Sequence, residues 1–229
     1  MRPLRTVLVC LILGGIGLPS AALATEEAKP WTKLEYQCDT RGFNTLNVEG
    51  ASPLPEGFEF WGFIDVNSPD APNSSRTDLK EFFLEADLQR PVWKGLGGIA
   101  EYNDGNGSGD SKARFGLYYQ PDWAWLKGHD LWLFTKWFPI GTEPAARQGS
   151  FAWNWAPKNM LWGRFSTGGF YDINFDEKEG HTRPQVVTEV QLRYRIVKNT
   201  HLFLEAKYNQ FLEKDKETGL GAGLQYYFE

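Results

Sequence analysis

The sequence predicts an all-β fold, a closed antiparallel transmembrane β-barrel of about 12 strands. Three observations predict it. Long runs alternate with period two, with charges gathered on one face. Short turns and longer polar connections alternate along the chain. The N-terminus reads as an export signal.

The clearest strand is Val186 to Ile196. Val186, Thr188, Val190, Leu192, Tyr194 and Ile196 point one way, and Val187, Glu189, Gln191, Arg193 and Arg195 the other. A helix would scatter those charges around its axis, whereas a strand collects them on one face. Leu202, Leu204, Ala206 and Tyr208 repeat the design against Phe203, Glu205, Lys207 and Asn209, after a tight turn at Val197 to Thr200. The last run sets Leu220, Ala222, Leu224, Tyr226 and Phe228 against Gly219, Gly221, Gly223, Gln225 and Tyr227. Its aromatic end matches the closing strand of an outer-membrane barrel.

Earlier strands are expected at Phe43 to Gly50, Gly57 to Asn67, Leu79 to Gln89, Leu96 to Asn103, Ala113 to Gln120, Leu131 to Phe138, Phe151 to Trp155 and Leu161 to Ile173, with a weaker first strand at Lys33 to Asp39. Ser52 to Glu56, Arg90 to Lys94, Pro121 to Gly128, Ala156 to Met160 and Val197 to Thr200 read as periplasmic turns. Ser68 to Asp78, Asp104 to Ser111, Gly141 to Ser150, Asp176 to Pro184 and Glu213 to Thr218 read as outer loops. Trp123 and Trp125 are placed to anchor at the interface.

Residues 1–24 read as a signal peptide: Arg2 and Arg5, then an apolar run Val7 to Leu18, then Ala22-Leu23-Ala24. The mature barrel is expected over 25–229. The apolar run is too short for a spanning helix, and no later run reaches the 18 or so residues one needs. Cys38 is then the sole mature cysteine, so no internal disulfide forms. The formal net charge of −5 argues against nucleic acid, which would favour a basic face.

Energy favours a barrel over a soluble sandwich. An Arg or Lys on a lipid face near the midplane costs roughly 2–4 kcal/mol, and the outward sets carry no Arg, Lys, Asp or Glu in their middles. The opposite faces carry Glu49, Glu59, Asp65, Glu81, Glu85, Asp87, Arg114, Lys136, Arg164, Glu189, Arg193, Arg195, Glu205 and Lys207. Such a set is prohibitive in a dry core and at home in a polar lumen. Trp61, Phe63, Phe83, Tyr118, Trp132, Phe134, Trp162 and Phe170 fall on the same faces. Rings stack on nucleobases, and carboxylates and amides take sugar hydroxyls. The same rings equally suit a filled, non-conducting barrel.

The segments Thr45-Leu46-Asn47-Val48-Glu49-Gly50 and Gly57-Phe58-Glu59-Phe60-Trp61-Gly62-Phe63-Ile64-Asp65 resemble the opening hairpin of the nucleoside-specific (Tsx-like) outer-membrane channels. The later strands follow the same order, through Glu189, Glu205 and the glycine-rich final strand. The resemblance implies a narrow, monomeric, twelve-stranded barrel that passes nucleosides.

The candidate solute-binding residues are Glu59, Trp61, Phe63 and Asp65 on one face of one strand, joined by Glu85, Trp132, Phe134, Arg164, Arg193 and Glu205. The expected partners are outer-membrane lipid around the barrel and a small solute inside it. No cofactor, metal or nucleic acid is expected. Two other functions fit a barrel: a structural or interaction protein without conductance, and a lipid-modifying enzyme. The enzyme would need a hydroxyl nucleophile beside a histidine. His129 and His201 sit at periplasmic turns and His181 in an outer loop, with no G-x-S-x-G or H-E-x-x-H motif.

Overall fold

The computed structural model describes residues 29–42, 44–68, 81–106, 111–142, 147–178 and 181–228. Its twelve strands are β1 (Trp31–Asp39), β2 (Asn44–Pro53), β3 (Glu59–Asn67), β4 (Glu81–Trp93), β5 (Leu96–Gly105), β6 (Lys112–Tyr119), β7 (Leu131–Gly141), β8 (Arg147–Trp155), β9 (Phe165–Lys178), β10 (His181–Val197), β11 (Thr200–Asn209) and β12 (Thr218–Phe228). Each strand pairs antiparallel with its chain neighbours, and β1 pairs with β12 from Thr32↔Phe228 to Asp39↔Gly221. The sheet therefore closes with no free edge, as a structure spanning hydrocarbon must. The weak first strand of the sequence is a full ladder partner on both sides.

Alternation sorts the side chains between lipid and lumen. On the outer face, Leu192, Leu202, Leu204, Leu220 and Leu224 are exposed, as are Phe60, Phe115, Phe151 and Trp137. Arg90, Asp104 and Arg147, which the register turns outward, sit near strand ends. This is an apolar belt with polar rims, the surface that a bilayer requires.

Two-residue turns join β4 to β5 and β10 to β11. Lys94 (φ 43°) and Gly95 (φ 85°) give the first one two left-handed positions, the form that suits strand twist. A side chain at Gly95 would also collide with the Gln120 carbonyl. These turns share a rim with the start of β1 and the end of β12, and short turns mark it as periplasmic. The connection from β6 to β7 carries a five-residue helix, α1 (Ala124–Gly128), which buries Leu126 and leaves Trp123 and Trp125 exposed.

Several expectations need correction. The run from Leu161 does not begin a strand. Leu161 (φ 48°) and Trp162 (φ 56°) are left-handed within a 3-10 turn at Met160–Gly163, so β9 starts at Phe165. The expected outer loop Asp176 to Pro184 is mostly ladder, with Asp176↔Arg183 and Lys178↔His181 paired. β9 and β10 therefore extend as one long hairpin. Part of the expected loop Gly141 to Ser150 is also strand, since β8 begins at Arg147. The signal peptide, the mature start near Thr25, Phe43 and most of the loop Ser68 to Asp78 lie outside the described residues.

Candidate functional site

The lumen is organised by four cations. Lys136, inward on β7, donates its Nζ to Glu85 (2.8 Å) and Asp87 (3.1 Å) of β4 and to Glu101 (2.6 Å) of β5. Arg114 of β6 pairs with the other oxygen of Glu101. The rings of Trp61 and Phe138 each lie 5.6 Å from the Lys136 ammonium. On the next strand wall, the Ser150 hydroxyl donates to Asp172. Glu85, Asp87 and Glu101 are close enough to share one cation, and the Lys136 ammonium is that cation.

A second network lines the opposite wall. Lys33 pairs with Glu35 (3.3 Å) and Glu49 (2.6 Å). Gln225 donates its Nε2 to Glu35 (2.7 Å) and to the Gln191 Oε1 (2.8 Å). Gln191 in turn donates to Glu205 (2.5 Å). Lys207 bridges Glu205 (2.8 Å) and Glu189 (3.4 Å) and donates to Gln37 (3.3 Å). Trp61 links the two walls: its Nε1 donates to Glu49 (3.0 Å) while its face covers Lys136.

Burial forces this pairing. Glu101, Asp87, Glu205 and Gln225 are at most 3% exposed. Leaving one partner of a buried ion pair uncompensated costs roughly 3–5 kcal/mol. The room comes from small residues opposite large ones. A side chain at Gly221 of β12 would lie 2.5 Å from the Gln37 amide, so the glycine run of β12 is the space that β1 fills.

Rings flank the charged waist. Towards the outer mouth, Trp61 meets Phe63 edge-on (5.5 Å) and Phe63 meets Phe83 (5.8 Å), with Phe83 exposed. Towards the periplasm, Trp132 stacks on Phe134 (5.6 Å), which stacks on Tyr118 (5.4 Å). Phe134 and Tyr118 are buried, and Trp132 is 41% exposed.

The candidate residues fall into groups. Trp61, Phe63 and Glu85 converge on the Lys136 node. Asp65 faces the lumen from the same strand and accepts from the Asn47 amide (2.8 Å). Glu59 faces inward at the periplasmic end and is exposed. Glu205 belongs to the second network, and Arg193, deeper on that wall, donates to Asn154. Trp132 and Phe134 form their own stack. Arg164 is not on a strand: it caps the 3-10 turn at the periplasmic rim and lies exposed there. Trp162 fails likewise, being 84% exposed in that turn. Both errors follow from extending alternation through left-handed backbone.

The candidate list missed Lys33, Glu35, Glu101, Asp172 and Gln225. Alternation within the runs Lys33 to Asp39 and Leu96 to Asn103 was the signal that points Glu35 and Glu101 inward.

Of the histidines, His129 Nδ1 donates to the Trp125 carbonyl (2.8 Å) and His201 packs against Tyr227 (5.3 Å). Among the described residues neither is hydrogen-bonded to a serine or threonine hydroxyl. The His181 side chain lies outside the described residues.

No family model and no curated protein sequence matches the chain. Solved structures share its fold. A KdgM porin superposes with a TM-score of 0.54 at 12% identity, over 87% of this chain and 99% of that one. Outer membrane phospholipase A from Escherichia coli gives 0.53 at 13%, over 90% and 93%. A NanC porin gives 0.51 at 9%, over 86% and 98%. At these identities the likeness is one of fold. The chain has the closed antiparallel β-barrel fold of these outer-membrane proteins.

Proposed function

We propose that the protein is a channel for passive passage of small polar solutes, with nucleosides as the solute class its lumen suits best. The observation that carries the reading is the arrangement of the inward face: exposed rings at either end of a carboxylate- and amide-rich waist. A base can stack on Phe83 or Trp132, and a ribose finds acceptors in Asp65, Glu85 and Glu205. The resemblance to the Tsx-like channels supports the same solute. One solved structure of similar fold is a KdgM porin in complex with oligogalacturonate. A polyanion of that kind would meet the carboxylates of this lumen, so the reading does not extend to it. On this proposal the chain is made with residues 1–24 as an export signal and works as a monomer.

The test is uptake of radiolabelled uridine into liposomes carrying the purified barrel. Uptake above empty liposomes, lowered by Trp132→Ala, supports the proposal. Uptake equal to that of empty liposomes overturns it.

A specific observation favours a second reading, a structural barrel without conductance. The mid-lumen side chains are nearly all buried and mutually bonded, like a plug. It predicts no solute flux with a fully folded barrel.

A further inference from the structure

The lumen charges do not balance. Around the waist, Lys33, Arg114, Lys136 and Lys207 are outnumbered by inward carboxylates. Asp65 and Asp172 make the excess plain. Asp65 is bonded to an amide and Asp172 to a hydroxyl, and neither forms an ion pair among the described residues.

A second observation points the same way. Around these groups the unpartnered buried acceptors, Asp87 Oδ1, Gln148 Oε1, Gln225 Oε1 and Asn47 Oδ1, outnumber the unpartnered donors, Gln37 Nε2 and Arg193 Nε. The first three lie on residues 1%, 4% and 0% exposed. Asp87 and Gln225 are members of the two charged networks, and Gln148 stands across β7 from Phe138, one step along from Lys136. A buried acceptor without a donor costs free energy, and a passing cation or N–H group removes that cost. An anion adds to it.

The Lys136 ammonium already displays the preferred guest. It rests against three carboxylates and two ring faces. That is how proteins hold free ammonium groups, by carboxylate contact and by the ring quadrupole.

We infer that the lumen is cation-selective, passing small cations and ammonium compounds in preference to anions. This rests on the channel reading and narrows it: permitted solutes are neutral or positively charged. Low-dielectric walls of one sign raise the local counter-ion concentration by ten-fold or more, so the K⁺/Cl⁻ permeability ratio should be on the order of ten. Mobile salt screens fixed charge over about 10 Å at 0.1 M and about 3 Å at 1 M, so the ratio should fall as KCl rises.

The experiment is the reversal potential of the full barrel in a planar bilayer under a KCl gradient, repeated with methylammonium chloride. The variant is Asp65→Asn with Asp172→Asn. It removes two carboxylates without stranding a cation, and heat-modifiable gel mobility confirms that it folds. The expected result is cation preference in both salts, reduced severalfold in the double variant. A zero or chloride-preferring reversal potential overturns the inference and leaves the channel reading standing. An unchanged ratio in the folded double variant overturns the assignment to these charges. Absence of current in every condition overturns the channel reading and this inference together.

Discussion

The two charged walls of the lumen solve one problem in different ways. On the β4–β7 side a single ammonium, Lys136, joins three carboxylates; Glu101 also has Arg114, but Glu85 and Asp87 form no other ion pair among the described residues. On the β1 and β10–β12 side two lysines share the load with Gln191 and Gln225, whose amides relay between Glu35 and Glu205, while Gln37 accepts from Lys207. The difference teaches where the barrel is brittle. A network with one hub fails when the hub is removed, and a network with several donors loses one bond at a time.

Mutations at the two hubs test that difference most strongly. Lys136→Met should leave Glu85, Asp87 and Glu101 facing one another and cost roughly 3–5 kcal/mol. Its urea midpoint in detergent micelles should drop well below that of the parent, or the barrel should fail to become heat-modifiable. Lys33→Gln should cost less, roughly 1–3 kcal/mol, because Glu35 keeps Gln225 and Glu49 keeps Trp61. Equal urea midpoints for the two variants would erase the contrast between the walls.

The outer face supplies the next comparison. Leu204→Arg places a cation in the apolar belt and should cost roughly 2–4 kcal/mol, whereas Glu59→Arg, at an exposed lumen position, should fold into lipid vesicles like the parent. Similar folding yields for both would show that the faces are assigned backwards.

Much of this was legible in the sequence, and the rest was hidden for physical reasons. Alternation located the belt because lipid tolerates no charge, so Val190, Leu202 and Leu204 could be read outward with no coordinates. Alternation also placed Lys136, Arg114 and Glu85 inward. It failed at Leu161 and Trp162, where non-glycine residues take a left-handed backbone that no composition signals, and the failure carried Arg164 into the lumen. It located Glu205 without showing whom Glu205 meets. Gln191 adjoins it through strand pairing and Lys207 two residues along the same strand face, while Lys136 reaches Asp87 from 49 residues away, three strands round the wall. Contacts across a lumen depend on stagger, which no single strand encodes. Nor does the sequence show why β12 carries glycines on its inward face: Arg41, Gln37 and Phe203 occupy the space beside Gly219, Gly221 and Gly223.

Smaller effects sharpen the account at the two ends of the lumen. Trp132→Ala removes an exposed stacking ring from the periplasmic end. It should weaken nucleoside binding by roughly 1–3 kcal/mol, read as a higher half-saturation of uridine uptake, and leave the urea midpoint nearly unchanged. At the periplasmic rim, Lys158 holds the Asp130 carboxylate by a 2.9 Å ion pair and by its own N–H, which keeps that carboxyl below its usual 3.8. A carboxyl depressed in the folded state stabilises above its unfolded pKa, and that contribution is lost as pH falls through the folded value. Lys158→Ala should therefore raise the Asp130 titration towards 3.8, measured by NMR in micelles, with little change at pH 7.

The central claim is that a ring-flanked, charged waist is a path and not a plug. Single-channel recording in 0.1 M KCl, with and without adenosine, tests it most directly. The account predicts discrete current steps that adenosine interrupts or lowers, with the effect weakened by Trp132→Ala. A heat-modifiable, correctly inserted barrel that shows no steps at all would contradict it.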